Sequence, residues 1–259
     1  MGAVLLEIDG LNHRFGGLHA VRDFRLRVDR GELVGIIGPN GAGKTTVFNL
    51  ITGVYRPYAG DIRLEGRSLV GLPPNQIVRR GVARTFQTIR LFRDLSVLDN
   101  VRIAHYQRGG YSVWASILRA PRVMRREDEL AWRALEMLEV FGLAGVAAEP
   151  AKSLPYGAQR KLEIARALAT GPKLLLLDEP AAGMNPSEVE QLADLIEDVR
   201  QRFGVTILLI EHQMKMVMSI CRRLTVLDFG QIIAEGTPEE IRQNPRVLEA
   251  YLGRGVTMA

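Results

Sequence analysis

At 259 residues, 47% hydrophobic and 24% charged, the chain has the composition of an ordinary soluble globular protein and the length to bury a large core. A formal charge of +5 is too small an excess to point to nucleic acid, and the longest apolar runs, such as Leu174–Leu177 and Thr206–Ile210, are far too short to cross a bilayer. The single cysteine, Cys221, allows no internal disulfide; among Val217, Met218 and Ile220 it reads as a buried helix residue in a reducing compartment.

No signal peptide is expected at Met1–Asp9, and Leu6 stands where a myristoylation signal requires Ser or Thr. The first ninety residues read as short strands with turns. Phe24, Leu26 and Val28 alternate with charged residues, as a half-buried strand requires. Leu33–Ile37 is an apolar strand leading into a glycine-rich loop, followed by a helix over Lys44–Thr52. From about Val97 to Ala169 the pattern is mostly helical, with Leu135, Leu138 and Phe141 on one face, which predicts an inserted helical subdomain. Arg119, Arg122, Arg125 and Arg126 lack interleaved aromatics and read as a solvated helix face.

Beyond that point strands and helices alternate: strand Lys173–Leu177, helix Pro186–Phe203, strand Val205–Ile210, helix Gln213–Ile220 and strand Leu224–Asp228. Val189, Leu192, Ile196, Val199 and Phe203 form one apolar stripe along the longest of these helices. Thr237-Pro238-Glu239-Glu240 is a capping box with proline at the first helical position. This alternation predicts an α/β core with a largely parallel sheet.

The loop Gly38-Pro39-Asn40-Gly41-Ala42-Gly43-Lys44-Thr45 fits the phosphate-binding pattern G-x-x-x-x-G-K-[ST], between a predicted strand and a predicted helix. Its glycines let the backbone wrap phosphates with N–H groups pointing inward, and the helix N-terminus adds partial positive charge. Lys44 supplies a fixed cation for the β- and γ-phosphates, and the Thr45 hydroxyl can ligate Mg²⁺. Gly38, Asn40, Gly41, Gly43, Lys44, Thr45 and Thr46 are therefore the candidate ATP-binding residues of this loop. In Leu174–Pro180 a buried strand delivers two carboxylates at its C-terminal end, where ligands bind in open α/β sheets. Asp178 would hold Mg²⁺, directly or through water, and Glu179 would polarise the water that attacks the γ-phosphate.

With these two motifs in place, the chain resembles an ABC ATPase over almost its whole length. The resemblance implies a P-loop NTPase core with a mainly parallel sheet, an antiparallel β subdomain and an inserted helical subdomain. In residue terms it implies a single ATPase domain, with a core of residues 1–90 and 171–259 and a helical part of about 91–170. Gln87 matches the glutamine loop that senses Mg²⁺ and the attacking water, and His212 the switch histidine that reaches the γ-phosphate. Phe15 matches the aromatic that stacks on adenine. Leu154–Ala158, with Tyr156 and Gly157, followed by Gln159–Arg166, matches the signature motif that completes the ATP site of a second subunit; Ala181–Asn185 matches the D-loop. Pro155 and Asn185 depart from the usual signature serine and D-loop aspartate.

A narrower resemblance, to the branched-chain (hydrophobic) amino-acid importer branch, rests on Arg14–Leu18, Arg90–Arg93, Tyr156-Gly157, Leu162–Arg166, Glu179–Asn185, Ile210–His212 and Glu249–Gly253. It implies two integral-membrane permease subunits, a second ATPase subunit and, through the complex, an extracytoplasmic solute-binding protein. A groove near Gln87, Leu91 and Phe92 would receive a short helix of the permease, holding the chain at the cytoplasmic face of the membrane. The competing reading is a soluble ABC ATPase of translation or DNA repair. Those members carry tandem ATPase domains or long coiled-coil inserts, whereas this chain has one phosphate loop and no sustained heptads. No nucleic-acid partner is expected.

Overall fold

The computed structural model describes residues 2–106 and 121–252. The chain divides into two compact units, Met1–Arg84 with Lys173–Ala259, and Thr85–Pro172.

The first unit holds two sheets. Strands β1 (Val4–Phe15) and β2 (Leu18–Asp29) form an antiparallel hairpin, and β1 also pairs antiparallel with β4 (Ala59–Leu64), which carries the short edge strand β5 (Arg67–Ser68). Phe24, Leu26 and Val28 of β2 are buried and Arg25 and Arg27 between them are exposed, which is the period-two pattern of a sheet with one covered face. Register shifts between Ile8 and Arg14 mark bulges, which bend the long hairpin.

The second sheet has six strands: β3 (Leu33–Ile37), β6 (Val82–Arg84), β7 (Leu174–Asp178), β8 (Thr206–Ile210), β9 (Arg223–Asp228) and β10 (Gln231–Gly236), in spatial order β10-β9-β3-β8-β7-β6. All neighbours run parallel except the β9–β10 hairpin. Every residue of β3, β7 and β8 is buried, as the continuous apolar runs require of parallel strands covered on both faces.

Helix α1 (Lys44–Ile51) follows β3, and α2 (Pro74–Arg80) precedes β6. The long α6 (Pro186–Phe203) buries Val189, Leu192, Ile196 and Val199. Phe203, expected on that stripe, is exposed, because the buried stripe ends one turn earlier and the helix stops at the left-handed Gly204. Asn185 is the N-cap of α6: its side chain accepts from the Glu188 amide at 3.0 Å, and the Glu188 carboxylate accepts from the Asn185 amide at 2.9 Å. Asn and Asp cap equally well, so an asparagine here costs the helix nothing. Helices α7 (Met214–Ile220), α8 (Pro238–Gln243) and α9 (Pro245–Leu252) complete the unit, with the expected capping box at Thr237. Cys221 follows α7, buried, and burial pushes its thiol well above the ordinary range; it is inert.

The second unit is helical: α3 (Val97–His105), α4 (Pro121–Val140) and α5 (Tyr156–Ala169). Ser96 caps α3 by accepting from the Asp99 amide. Helix α3 packs on both others, burying Val97, Val101, Leu130, Ala134, Leu138, Phe141, Leu162 and Ala165. Leu135 lies at the edge of this face, half-buried, and Ala134 takes the central place. Arg125 and Arg126 are exposed; Arg119 and the side chain of Arg122 lie outside the described residues. Among the described residues no helix is long and apolar enough to cross a membrane.

Candidate functional site

Three adjacent parallel strands, β3, β8 and β7, end side by side, and each C-terminal end delivers one group of the site. The phosphate loop follows β3, Asp178 closes β7 with Glu179 next to it, and Glu211 and His212 follow β8.

Two glycines are required by the path of the loop. Gly38 has φ 147° and a Cβ there would lie 2.1 Å from the Leu227 carbonyl oxygen; Gly43 has φ 106° and a Cβ there would lie 2.4 Å from that of Ala20. The β9–β10 turn braces the same loop, since the Gly230 amide donates to the Ala42 carbonyl at 2.9 Å. Gly43→Ala is therefore expected to cost on the order of 1–3 kcal/mol from backbone strain alone, and to collapse the loop. Thermal melting with and without ATP checks it: the variant should lose the nucleotide-dependent rise in Tm.

Lys44 is 6% exposed, and its Nζ donates to the carbonyls of Gly38 at 2.7 Å and Pro39 at 2.9 Å. Burial lowers its pKa, while Glu179 and Asp178 nearby act to raise it. Asn40, Gly41 and Thr45 are exposed along the rim of the loop, and Thr46 is half-buried.

Asp178 is 2% exposed, and its Oδ2 accepts from Arg84 Nη2 at 2.7 Å. Burial raises its pKa, and the Arg84 contact opposes that rise. Glu179 occupies the left-handed region at φ 48°, uncommon for a residue other than glycine and a kind of strain that collects at functional sites. The Glu179 amide donates to the Ile210 carbonyl at 2.8 Å, and His212 Nδ1 lies 3.7 Å from Glu179 Oε1. Glu211, fully buried, is a residue whose role sequence reasoning missed. Its Oε1 accepts from the Ala181 amide at 2.8 Å and its Oε2 from the His212 amide at 2.9 Å, so one carboxylate joins the segment after Glu179 to the histidine. Arg84 was missed as well, and the one signal for it is a charge closing an otherwise apolar strand.

Phe15 is 44% exposed at the end of β1. His13 and Tyr55 lie near-perpendicular to it, with ring centres at 4.7 and 5.2 Å, and stack on each other at 5.4 Å.

Gln87, Tyr156 and Gly157 belong to the second unit. There, Arg160 of α5, 2% exposed, donates to the carbonyls of Phe86 (2.8 Å) and Gln87, to the Tyr156 hydroxyl (3.0 Å) and to Glu163 (3.1 Å). The Glu163 carboxylate accepts longer contacts from the amides of Phe86 and Arg90, and burial raises its pKa against these contacts and Arg160. The helix that begins at Tyr156 thus grips the backbone on both sides of Gln87, whose side chain is exposed. Pro155 is the N-cap of α5 rather than its first residue, and its carbonyl accepts the first helical bond, from Gln159 at 3.0 Å. The helix is intact despite the missing serine.

Among the described residues no three His, Cys, Asp or Glu side chains cluster as a self-sufficient metal site. The hydroxyl of Thr45 and the carboxylate of Asp178 are hard oxygen donors, which fits Mg²⁺ held jointly with substrate phosphates.

A glycine-wrapped loop with a buried lysine, set beside a buried aspartate–glutamate pair at the ends of parallel strands, defines a P-loop nucleoside triphosphatase. The family described as "ABC transporter" matches residues 21–182, and "Branched-chain amino acid ATP-binding cassette transporter" matches residues 231–257. The chain is 50% identical over 253 residues to the high-affinity branched-chain amino acid transport ATP-binding protein LivG of Salmonella typhimurium, covering 98% of this chain and 99% of that protein. It is 47% identical to BraF of Pseudomonas aeruginosa, a protein of the same description, with the same coverage. The crystal structure of the ADP conformation of MJ1267, an ATP-binding cassette of an ABC transporter, superposes with a TM-score of 0.84 at 31% identity, over 97% of this chain and 99% of that one. The chain belongs to the ABC transporter family, as an ATP hydrolase of the ABC type.

Proposed function

We propose that this chain powers an importer of branched-chain or other hydrophobic amino acids, working as one ATPase domain built from both units. The observation that carries the chemistry is the convergence of Lys44, Asp178, Glu179 and His212 at the ends of three neighbouring strands. The substrate class rests on the names of relatives 47–50% identical over nearly the full chain.

In this reading Phe15 stacks on adenine, and the amides of the loop from Gly38 to Thr46 cradle the phosphates. Lys44 exchanges the carbonyls of Gly38 and Pro39 for the β- and γ-phosphate oxygens. The Thr45 hydroxyl, Asp178 and Gln87 would hold Mg²⁺, which would supply neutralisation of phosphate charge. Glu179 accepts a hydrogen bond from the attacking water and polarises it, and His212, beside Glu179, reaches the γ-phosphate. Tyr156 and Gly157 of a second copy, or the matching residues of a paralogue, close over the nucleotide.

Two integral-membrane permease subunits hold the pair at the cytoplasmic face of the membrane, and an extracytoplasmic solute-binding protein delivers the substrate to them. The near-full-length match to transport ATPases disfavours a role in translation or DNA repair. Purification from detergent-solubilised membranes tests the assignment: integral membrane proteins should co-purify, and recovery with ribosomes or DNA instead would overturn it.

Pro155 has neither hydroxyl nor N–H to offer a phosphate, and one hydrogen bond to a charged group contributes about 1.5–3 kcal/mol. The amide of Gly157 and the α5 dipole then carry that contact. In a Glu179→Gln background, Gly157→Asp should abolish the ATP-dependent dimer on size exclusion, while Pro155→Ser should preserve or tighten it.

A further inference from the structure

Arg84 belongs to no motif of the sequence, yet its side chain is 5% exposed and held from three directions. Nη2 donates to Asp178 Oδ2 at 2.7 Å; Nη1 donates to Asn49 Oδ1 at 2.7 Å and to Thr52 Oγ1 at 3.3 Å. The guanidinium carbon lies 5.5 Å from the centre of the Phe48 ring. Phe48 and Asn49 are in α1, and Thr52 is its C-cap. The same helix carries Thr45 near its start. One planar group therefore ties the carboxylate at the end of β7 to the helix that bears Thr45, another of the oxygen ligands proposed above.

We propose that Arg84 is a positioning residue for the metal: by clamping Asp178 to α1 it sets the Asp178 carboxylate and the Thr45 hydroxyl in fixed relation before Mg²⁺–nucleotide arrives. The inference rests on the assignment of Asp178 as a metal ligand. A buried ion pair is poor evidence of added stability, because desolvation offsets most of the attraction. Geometry is the better reason for this one. A guanidinium offers donors in a rigid fork, so Asp178, Asn49 and Thr52 can be held at once; a lysine ammonium keeps the charge and loses the fork. A cation beside a metal ligand also repels the metal, which makes the direction of the effect decisive. Partners that fix a ligand's orientation are typically worth about 10–100-fold in metal affinity, and that gain is expected to win here.

Mn²⁺, which shares the preference of Mg²⁺ for octahedral oxygen ligands, is the probe. The full chain is saturated with ADP and titrated with Mn²⁺ by electron paramagnetic resonance, and ADP affinity is measured separately in EDTA. Arg84→Met should raise the Mn²⁺ Kd at least about tenfold with the EDTA affinity for ADP unchanged, and Arg84→Lys should raise it likewise. Asn49→Ala, which removes an anchor of the guanidinium without touching Asp178, should shift the Kd in the same direction by less. It carries the test alone if the Arg84 variants do not fold. An unchanged or lower Kd in Arg84→Met, wild-type affinity in Arg84→Lys, or an unchanged Kd in Asn49→Ala would overturn the proposal. Asp178→Asn separates the two layers: if it leaves the Kd unchanged, the ligand assignment itself fails. If it weakens Mn²⁺ while the Arg84 variants do not, the clamp alone fails.

Discussion

Lys44→Ala is expected to abolish ATP hydrolysis and to weaken ATP binding by roughly 10–150-fold, the loss of about 1.5–3 kcal/mol that follows when a hydrogen bond to a charged group is removed. In the structure the ammonium is buried against the carbonyls of Gly38 and Pro39, so it is already desolvated and positioned before nucleotide arrives. Burial lowers its pKa, and the two neighbouring carboxylates act against that lowering. Truncation also leaves two inward-facing carbonyls without this donor, which destabilises the loop in the absence of nucleotide. Thermal melting without ATP measures that part, and equilibrium ATP binding with steady-state turnover measures the rest. Unchanged turnover would sink the assignment of the phosphate loop.

Glu179→Gln should leave ATP binding intact and slow hydrolysis by about 10²–10⁴-fold, the usual range for a removed general base. An amide preserves the shape of the side chain and its place at φ 48°, so the fold of the turn should hold. It cannot polarise water as a carboxylate does, and the γ-phosphate then persists as the bridge between two subunits. The variant should run as a dimer with MgATP and as a monomer without it. A monomer under both conditions with full ATPase activity would refute both the base and the dimer.

The motifs were legible because their chemistry needs contiguous residues: a loop that wraps phosphate must carry its glycines, lysine and threonine in one run, and a strand end delivers neighbouring carboxylates. The parallel sheet was legible for a related reason, since Leu33–Ile37, Leu174–Asp178 and Thr206–Ile210 are uninterrupted apolar runs. What stayed hidden is carried by contacts between residues far apart in the chain. Arg84 and Asp178 are 94 positions apart, and Arg160 and Phe86 are 74 apart. No periodicity or spacing announces such pairs. Glu211 was visible as part of a family peptide, but only the fold shows one carboxylate binding two loops. Asn185 departs from the usual D-loop aspartate, and the structure gives that residue a capping role its side chain fills well. The limits of the stripe at Phe203 and of the helical face at Leu135 depend on where neighbouring elements end, which a periodic pattern does not encode.

ATP-driven uptake of labelled leucine is to be measured in proteoliposomes containing the chain with its co-purified membrane subunits and second ATPase. The solute-binding protein is added on the opposite side. Uptake should require ATP, be competed by isoleucine and valine, and disappear when Glu179→Gln replaces the wild-type chain. ATP hydrolysis stimulated by a different class of solute, with no leucine, isoleucine or valine transported, would contradict the proposed function.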